Sequence, residues 1–154
     1  MSVINTGAAL SARLAETLYS EALVLADEMR SYFNVGSGRT ERDTLDPHGR
    51  VLFACESLKA TTRLMHVIAW LAMRRADAGG EASVQGASPS DRKLAEAQRT
   101  EPTVLARMPT DARRLILSGI DLYERVGRLA EGVDAPSIGP SPARALIERL
   151  ERAF

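Results

Sequence analysis

Residues that commonly build metal sites and disulfides are scarce in this sequence. The 154 residues include one cysteine, Cys55, and two histidines, His48 and His66. A single cysteine excludes an internal disulfide framework and a Cys-rich zinc site, and it fits a reducing cytoplasm. Neither histidine belongs to a Glu-x-x-His or His-x-x-x-His motif, which helical metal sites use. We therefore predict a cytoplasmic protein that binds no metal ion or other cofactor.

The chain also lacks net charge and long apolar runs. Twenty Lys and Arg residues balance 20 Asp and Glu residues, so the broad attraction of a nucleic-acid-binding protein is absent. The most apolar run, residues 64–73, is interrupted by His66, whereas a helix needs about 20 apolar residues to span a bilayer. The N-terminal MSVINTGAAL is too polar for a signal peptide. We expect neither nucleic acid nor a membrane as a partner.

Strand-forming patterns and catalytic motifs are missing as well. Aromatic residues make up 5% of the chain, and no segment alternates apolar with polar residues over the length of a strand. Without strands there is no glycine-rich loop between a strand and a helix to bind phosphate. Acid–base pairs such as Glu56 and Lys59 have the spacing of ion pairs on a helix surface. We predict an all-α protein that is not an enzyme.

Capping residues and apolar periodicity predict four helices. Asp46 as N-cap and Pro47 at the first helical position start the second helix, and Gly79 ends it. Thr110 and Ser141 are the predicted N-caps of the third and fourth helices. The four helices span about residues 9–34, 46–78, 110–133 and 142–153. Residues 79–109 are rich in turn-forming residues and are predicted to form a mobile loop.

Each of the three long helices carries an apolar stripe whose spacing alternates between four and three residues. Such a 3.5-residue repeat is typical of helices that pack side by side at a shallow angle. The sequence thus predicts one domain, residues 1–154, folded as an antiparallel three-helix bundle with a short C-terminal helix. The predicted core stripes are Ser11, Ala15, Leu18, Ala22, Leu25, Met29 and Tyr32, then Val51, Cys55, Leu58, Thr62, Met65, Ala69 and Ala72, and finally Ala112, Ile116, Gly119, Tyr123, Val126, Ala130 and Val133.

The second helix has a further apolar stripe on the side opposite its predicted core stripe. A three-helix bundle leaves one side of each helix in water, so a second stripe indicates another neighbour. We predict a homodimer through this stripe, with the short C-terminal helix as the alternative neighbour. The predicted dimer interface consists of Ala60, Leu64, Val67 and Leu71.

Basic and aromatic residues fill the sector between these two stripes. Arginine and tryptophan are frequent at the energetic centre of protein interfaces. We predict that this sector binds a protein partner, although Trp70 could equally pack only under Arg63 or Arg74. The partner-binding candidates are Lys59, Arg63, His66, Trp70 and Arg74.

Four segments resemble an alphaproteobacterial family of small helical proteins. They are TTRLMHVIAWLAMRRA at residues 61–76 with Glu56 and Ser57 before it, SEALVLADEMRSYF at 20–33, SGIDLYERVGRL at 118–129 and PARALIERLERAF at 142–154. The chain is similar to the RcdA-like family, named for a regulator of CtrA degradation. This resemblance implies a homodimeric three-helix bundle that acts without catalysis, as an adaptor for an AAA+ protease or a response-regulator-type partner in the proteolysis of cell-cycle proteins. The alternative is a helical homodimeric interaction or structural module unrelated to proteolysis.

Overall fold

Helices make up nearly all of the computed structural model, which describes residues 2–78, 93–134 and 142–153. None of the described residues belongs to a strand, so the predicted all-α class is confirmed. In chain order the elements are α1 (Ser2–Arg30), a π-helical turn (Ser31–Val35), α2 (Ser37–Asp43), α3 (Pro47–Ala78), α4 (Pro102–Arg107), α5 (Thr110–Asp134) and α6 (Pro142–Ala153).

The long helices α1, α3 and α5 form a bundle in which each contacts the other two. Helix α1 runs antiparallel to α3, because Glu16 in the middle of α1 pairs with Arg75 near the end of α3 at 2.7 Å, whereas Phe33, just after α1, packs against Phe53 near the start of α3. It also runs antiparallel to α5, because Glu28 near its end pairs with Arg114 near the start of α5 at 3.4 Å. Helices α3 and α5 therefore run parallel, and the prediction of a wholly antiparallel bundle is wrong for this pair.

The parallel pair requires the chain to travel back along α3 before α5 begins. Helix α3 has 32 residues, which corresponds to a length of roughly 48 Å. Residues 93–101, which we call the strap, and α4 make the last part of this return. The predicted loop of residues 79–109 thus contains a helix, α4, while residues 79–92 lie outside the described part of the chain.

The core confirms the predicted stripes of α1 and α5 but not that of α3. Ala15, Leu18, Ala22, Leu25, Met29 and Tyr32 are buried, as are Ala112, Ile116, Gly119, Val126 and Ala130. Ser11 and Tyr123 are half-buried, and the side chain of Val133 lies outside the described part of the chain. In α3 the predicted core residues Leu58 and Met65 are 68% and 63% exposed, and Cys55 is exposed as well. The inward side is instead the bulkier one, formed by Phe53, Ala60, Leu64, Val67, Trp70 and Leu71. Larger side chains fill the space between three helices, which a stripe rich in Ala, Thr and Cys would leave partly empty.

The corner between α1 and α3 fixes how these helices meet. The π-helical turn places Tyr32 and Phe33 beside Phe53, and the Phe33 and Phe53 ring centroids are 5.6 Å apart. The Tyr32 hydroxyl donates a hydrogen bond to the Glu41 carboxylate of α2. Burial and the nearby Glu41 carboxylate raise the pKa of Tyr32 well above its ordinary value. Helix α3 then begins at its predicted cap, where Asp46 Oδ1 accepts a hydrogen bond of 2.8 Å from the Gly49 amide.

Candidate functional site on helix α3

The four residues of the predicted dimer interface lie in the core of their own chain. Ala60, Leu64, Val67 and Leu71 are all buried and belong to the same apolar cluster as the core residues of α1 and α5. They can reach a second chain only if the bundle opens, so this interface prediction is wrong. The cause is that both sides of α3 carry apolar residues at the same four-three spacing, and spacing alone does not say which side faces inward.

The side that faces outward, which we call the outer stripe, runs along more than half of α3. It consists of Val51, Cys55, Leu58, Thr62, Met65, Ala69 and Ala72, all of which are exposed. From residue 51 to residue 72 the helix rises by roughly 32 Å, measured between the first and last Cα atoms of the stripe. None of the seven side chains carries a charge. The outer stripe is therefore a continuous, uncharged surface of the size that a second helix covers.

Two of the predicted partner-binding residues instead hold the strap in place. Glu56 is 2% exposed and pairs with Lys59 Nζ at 2.9 Å. Arg63 is 3% exposed, and its Nη2 donates to the carbonyl oxygen of Gln98 at 2.9 Å and to Thr100 Oγ1 at 3.2 Å. Thr100 Oγ1 in turn donates to Glu56 Oε2 at 2.7 Å. We call Glu56, Lys59, Arg63 and Thr100 the clamp.

Contacts with α5 and the core fix the rest of the strap. The Tyr123 hydroxyl donates to the carbonyl oxygen of Ala95 at 2.7 Å, and Leu94 packs against the apolar core. Lys59 Nζ also donates to the carbonyl oxygen of Arg99 at 3.3 Å. Burial lowers the pKa of Arg63, and the Glu56 carboxylate partly offsets this effect. The strap thus covers the side of α3 that faces α5, which is why these polar residues are buried.

The clamp was missed by sequence reasoning, although one signal was present. Glu56 lies on the inward side of α3, near apolar Phe53 and Ala60, and it precedes Lys59 by three residues and Arg63 by seven. A carboxylate on an apolar helix side needs a buried partner, because an isolated charge in a core is strongly unfavourable. Its partner Thr100, however, lies more than 40 residues away along the chain. Local spacing carries no information about that contact.

The other partner-binding candidates fall into two places. Trp70 is 4% exposed, and the Cζ atom of Arg74 lies 5.6 Å from its ring centroid. This arrangement matches the alternative in which Trp70 packs under a neighbouring arginine. His66 is half-buried and joins Lys59 and Arg63 around a cavity of about 370 Å³ between α3 and the strap. The cavity is lined by Cys55, Leu58, Lys59, Thr62, Arg63, His66, Glu96 and Gln98.

Residues 2–78, 93–134 and 142–153 contain neither a candidate metal site nor a candidate membrane span. Within these ranges, no group of three His, Cys, Asp or Glu residues is placed to hold a metal ion. No helix in the same ranges is long and apolar enough to cross a bilayer. The surface of α3, with its outer stripe and its cavity, is therefore the most distinctive candidate site.

Comparisons with known proteins agree with this architecture. A family model described as a protein of unknown function, DUF1465, matches residues 7–154. The chain belongs to this family. The crystal structure of RcdA from Caulobacter crescentus CB15 matches with 31% sequence identity and a TM-score of 0.63, over 82% of this chain and 96% of that chain. The predicted RcdA-like family is thus confirmed, while a search of curated proteins found no significant match.

Proposed function

We propose that this protein is a non-catalytic, cytoplasmic adaptor in regulated proteolysis of cell-cycle proteins by an AAA+ protease. The observation that carries this proposal is the match to RcdA, at 31% identity over 82% of the chain. The RcdA-like family is named for a regulator of CtrA degradation. An adaptor works through binding surfaces, and α3 offers an uncharged outer stripe beside a polar cavity.

We further propose that the adaptor is a homodimer joined through the outer stripe of α3. Its spacing of four and three residues is the repeat by which two helices interlock over several turns. A stripe that pairs with its own copy needs no complementary surface elsewhere, since a two-fold axis brings the same residues together. The absence of charged side chains from the stripe avoids repulsion between like charges.

The sizes of the side chains favour an antiparallel pair. Cys55, Thr62 and Ala69 alternate with the larger Val51, Leu58 and Met65. With the two-fold axis near residue 60, Cys55 meets Met65 of the partner subunit and each large residue meets a small one. A parallel pair would instead place small residues against small ones and leave gaps at those layers. The antiparallel pair therefore gives the more even packing.

The native Cys55 tests this arrangement directly. In the antiparallel pair, the two Cys55 residues are separated by ten residues of helix, or roughly 15 Å, which is too far for a disulfide. We expect Met65→Cys to give a disulfide-linked dimer under mild oxidation, through Cys55. The double variant Cys55→Ser with Met65→Cys and the control Val24→Cys, at an exposed position on α1, should remain uncross-linked. Cross-linking of the unmodified chain through Cys55 would instead indicate a parallel pair.

The role in proteolysis is tested by protein turnover. We expect deletion of the gene to lengthen the half-lives of specific cell-cycle proteins, measured across the proteome after translation is stopped. The wild-type gene should restore their degradation, whereas Leu58→Glu with Met65→Glu should not, because the charges disrupt the outer stripe. Unchanged half-lives in the deletion strain, together with a cross-linked dimer, would favour the helical interaction module unrelated to proteolysis.

A further inference from the structure

The inner wall of the cavity between α3 and the strap has more positive than negative charge. Lys59 and Arg63 line the cavity, and both interact with the single buried carboxylate of Glu56. Glu56 also accepts the hydrogen bond from Thr100. The remaining acidic residue of the wall, Glu96, is exposed, so solvent screens its charge. Two cations thus share one buried carboxylate, which leaves room for a second anion.

Two buried nitrogen atoms of the same wall have no hydrogen-bond partner. Arg63 Nη1 and His66 Nδ1 are buried and have no hydrogen-bond partner among the described residues. Buried polar atoms are nearly always hydrogen-bonded, because leaving one unsatisfied is costly. The arginine nitrogen can only donate. The group that would satisfy Arg63 is therefore an acceptor, and a carboxylate gives the strongest hydrogen bond to a guanidinium.

The outer part of the cavity has a different character. Leu58 is 68% exposed and Cys55 is also exposed, and both line the cavity next to Thr62. A volume of about 370 Å³ is within the range that small-molecule sites occupy. The cavity therefore combines a cationic inner end with an apolar outer wall.

We propose that this cavity binds an organic carboxylate, with its charged end at Lys59 and Arg63 and its hydrocarbon part against Cys55 and Leu58, where the outer stripe borders the cavity. In the proposed dimer, the partner subunit closes the mouth of the cavity. This proposal is independent of the role in proteolysis, because it depends on the charges of Lys59 and Arg63, the unsatisfied nitrogen atoms of Arg63 and His66, and the lining of the cavity. A free metabolite and the terminal carboxylate of a peptide present the same chemistry.

Benzoate and benzamide provide a matched pair of probes, since they have the same shape and differ in charge. We expect saturable binding of benzoate in ligand-observed saturation-transfer NMR, and binding of benzamide weaker by about tenfold, because a hydrogen bond to a charged group is the stronger one. A short peptide with a free C-terminal carboxylate and its C-terminal amide distinguish a peptide ligand from a free small molecule. Equal binding of benzoate and benzamide, or no saturable binding, would overturn the proposal.

Two substitutions locate the probe on the chain. Gln98→Trp fills the cavity from the strap without altering the outer stripe and should abolish benzoate binding, whereas Arg99→Trp, at an exposed neighbour that does not line the cavity, should leave it unchanged. Arg63→Lys retains the charge but lacks Nη1, and should weaken binding about tenfold. Circular dichroism and sedimentation of each variant separate these effects from misfolding and from a changed oligomeric state. Benzoate binding that survives Gln98→Trp in a folded chain would place the site elsewhere.

Discussion

Helix α3 has two apolar sides with the same spacing, yet only one of them is used inside the chain. The inward side carries Leu64, Trp70 and Leu71 and is closed over by α1 and α5, whereas the outer stripe carries Leu58 and Met65 in the open. The two sides differ in side-chain volume and in their polar residues, since the buried Glu56 lies on the inward side. Side-chain volume and buried charge, rather than periodicity, therefore decide which side of such a helix forms the core.

Paired charge substitutions on the two sides give the largest expected difference. Leu64→Glu with Leu71→Glu buries two carboxylates among apolar side chains, each at a cost of several kcal/mol, and should leave the chain unfolded. Leu58→Glu with Met65→Glu adds the same charges to the outer stripe and should leave a folded monomer. Circular dichroism and sedimentation velocity measure both outcomes. A folded protein from the first pair, or an unfolded one from the second, would reverse the assignment of the two sides.

The sequence was sufficient for the helices that have one apolar side. The stripe of α5 could be read from spacing, because its opposite side is largely polar and only one orientation buries the apolar residues. The stripe of α1 could be read as well, because the apolar residues that α1 exposes, such as Leu23 and Val24, do not repeat at four-three spacing. Asp46 and Pro47 also predicted the start of α3 correctly, because a cap acts on the backbone amides that directly follow it. Local features of this kind depend on neighbouring residues alone.

Long-range contacts set the features that could not be predicted. The parallel course of α3 and α5 follows from the return of the chain through the strap, and the strap is held by Arg63, Glu56 and Tyr123 from distant parts of the sequence. The predicted partner-binding strip mixed residues of two kinds, because Lys59 and Arg63 turn toward the strap while Arg74 lies over Trp70. No spacing rule within one helix separates these two groups.

Removal of the buried acid should have the next largest effect. Glu56→Ala leaves Lys59 and Arg63 without their shared carboxylate, so we expect the free energy of unfolding to fall by about 3–5 kcal/mol. The matched control is Glu28→Ala, which removes an exposed partner of Arg114 and should cost about 0–1 kcal/mol. Urea denaturation at one protein concentration measures both values. Similar losses in the two variants would mean that the clamp does not differ from a surface ion pair.

The smallest expected effect concerns the corner that orients the inward side of α3. Tyr32→Phe retains the ring beside Phe53 but removes the hydroxyl that donates to Glu41. One hydrogen bond to a charged acceptor contributes about 1.5–3 kcal/mol to stability, so we expect a loss toward the lower end of this range near neutral pH. The helical content should stay unchanged, because the aromatic packing remains.

The pH dependence of this small loss identifies its cause. The pKa of Tyr32 is raised in the folded chain, whereas in the unfolded chain it is about 10. The unfolded state therefore loses the phenol proton first, and the stability from this group is complete below about pH 10 and declines above it, by up to about 1.4 kcal/mol per pH unit. Denaturation curves between pH 8 and 11 should show the unmodified chain losing its advantage over Tyr32→Phe as the pH rises, because burial and the Glu41 carboxylate keep the phenol protonated in the folded chain. A difference that stays constant over this range would instead assign the effect of the hydroxyl to packing.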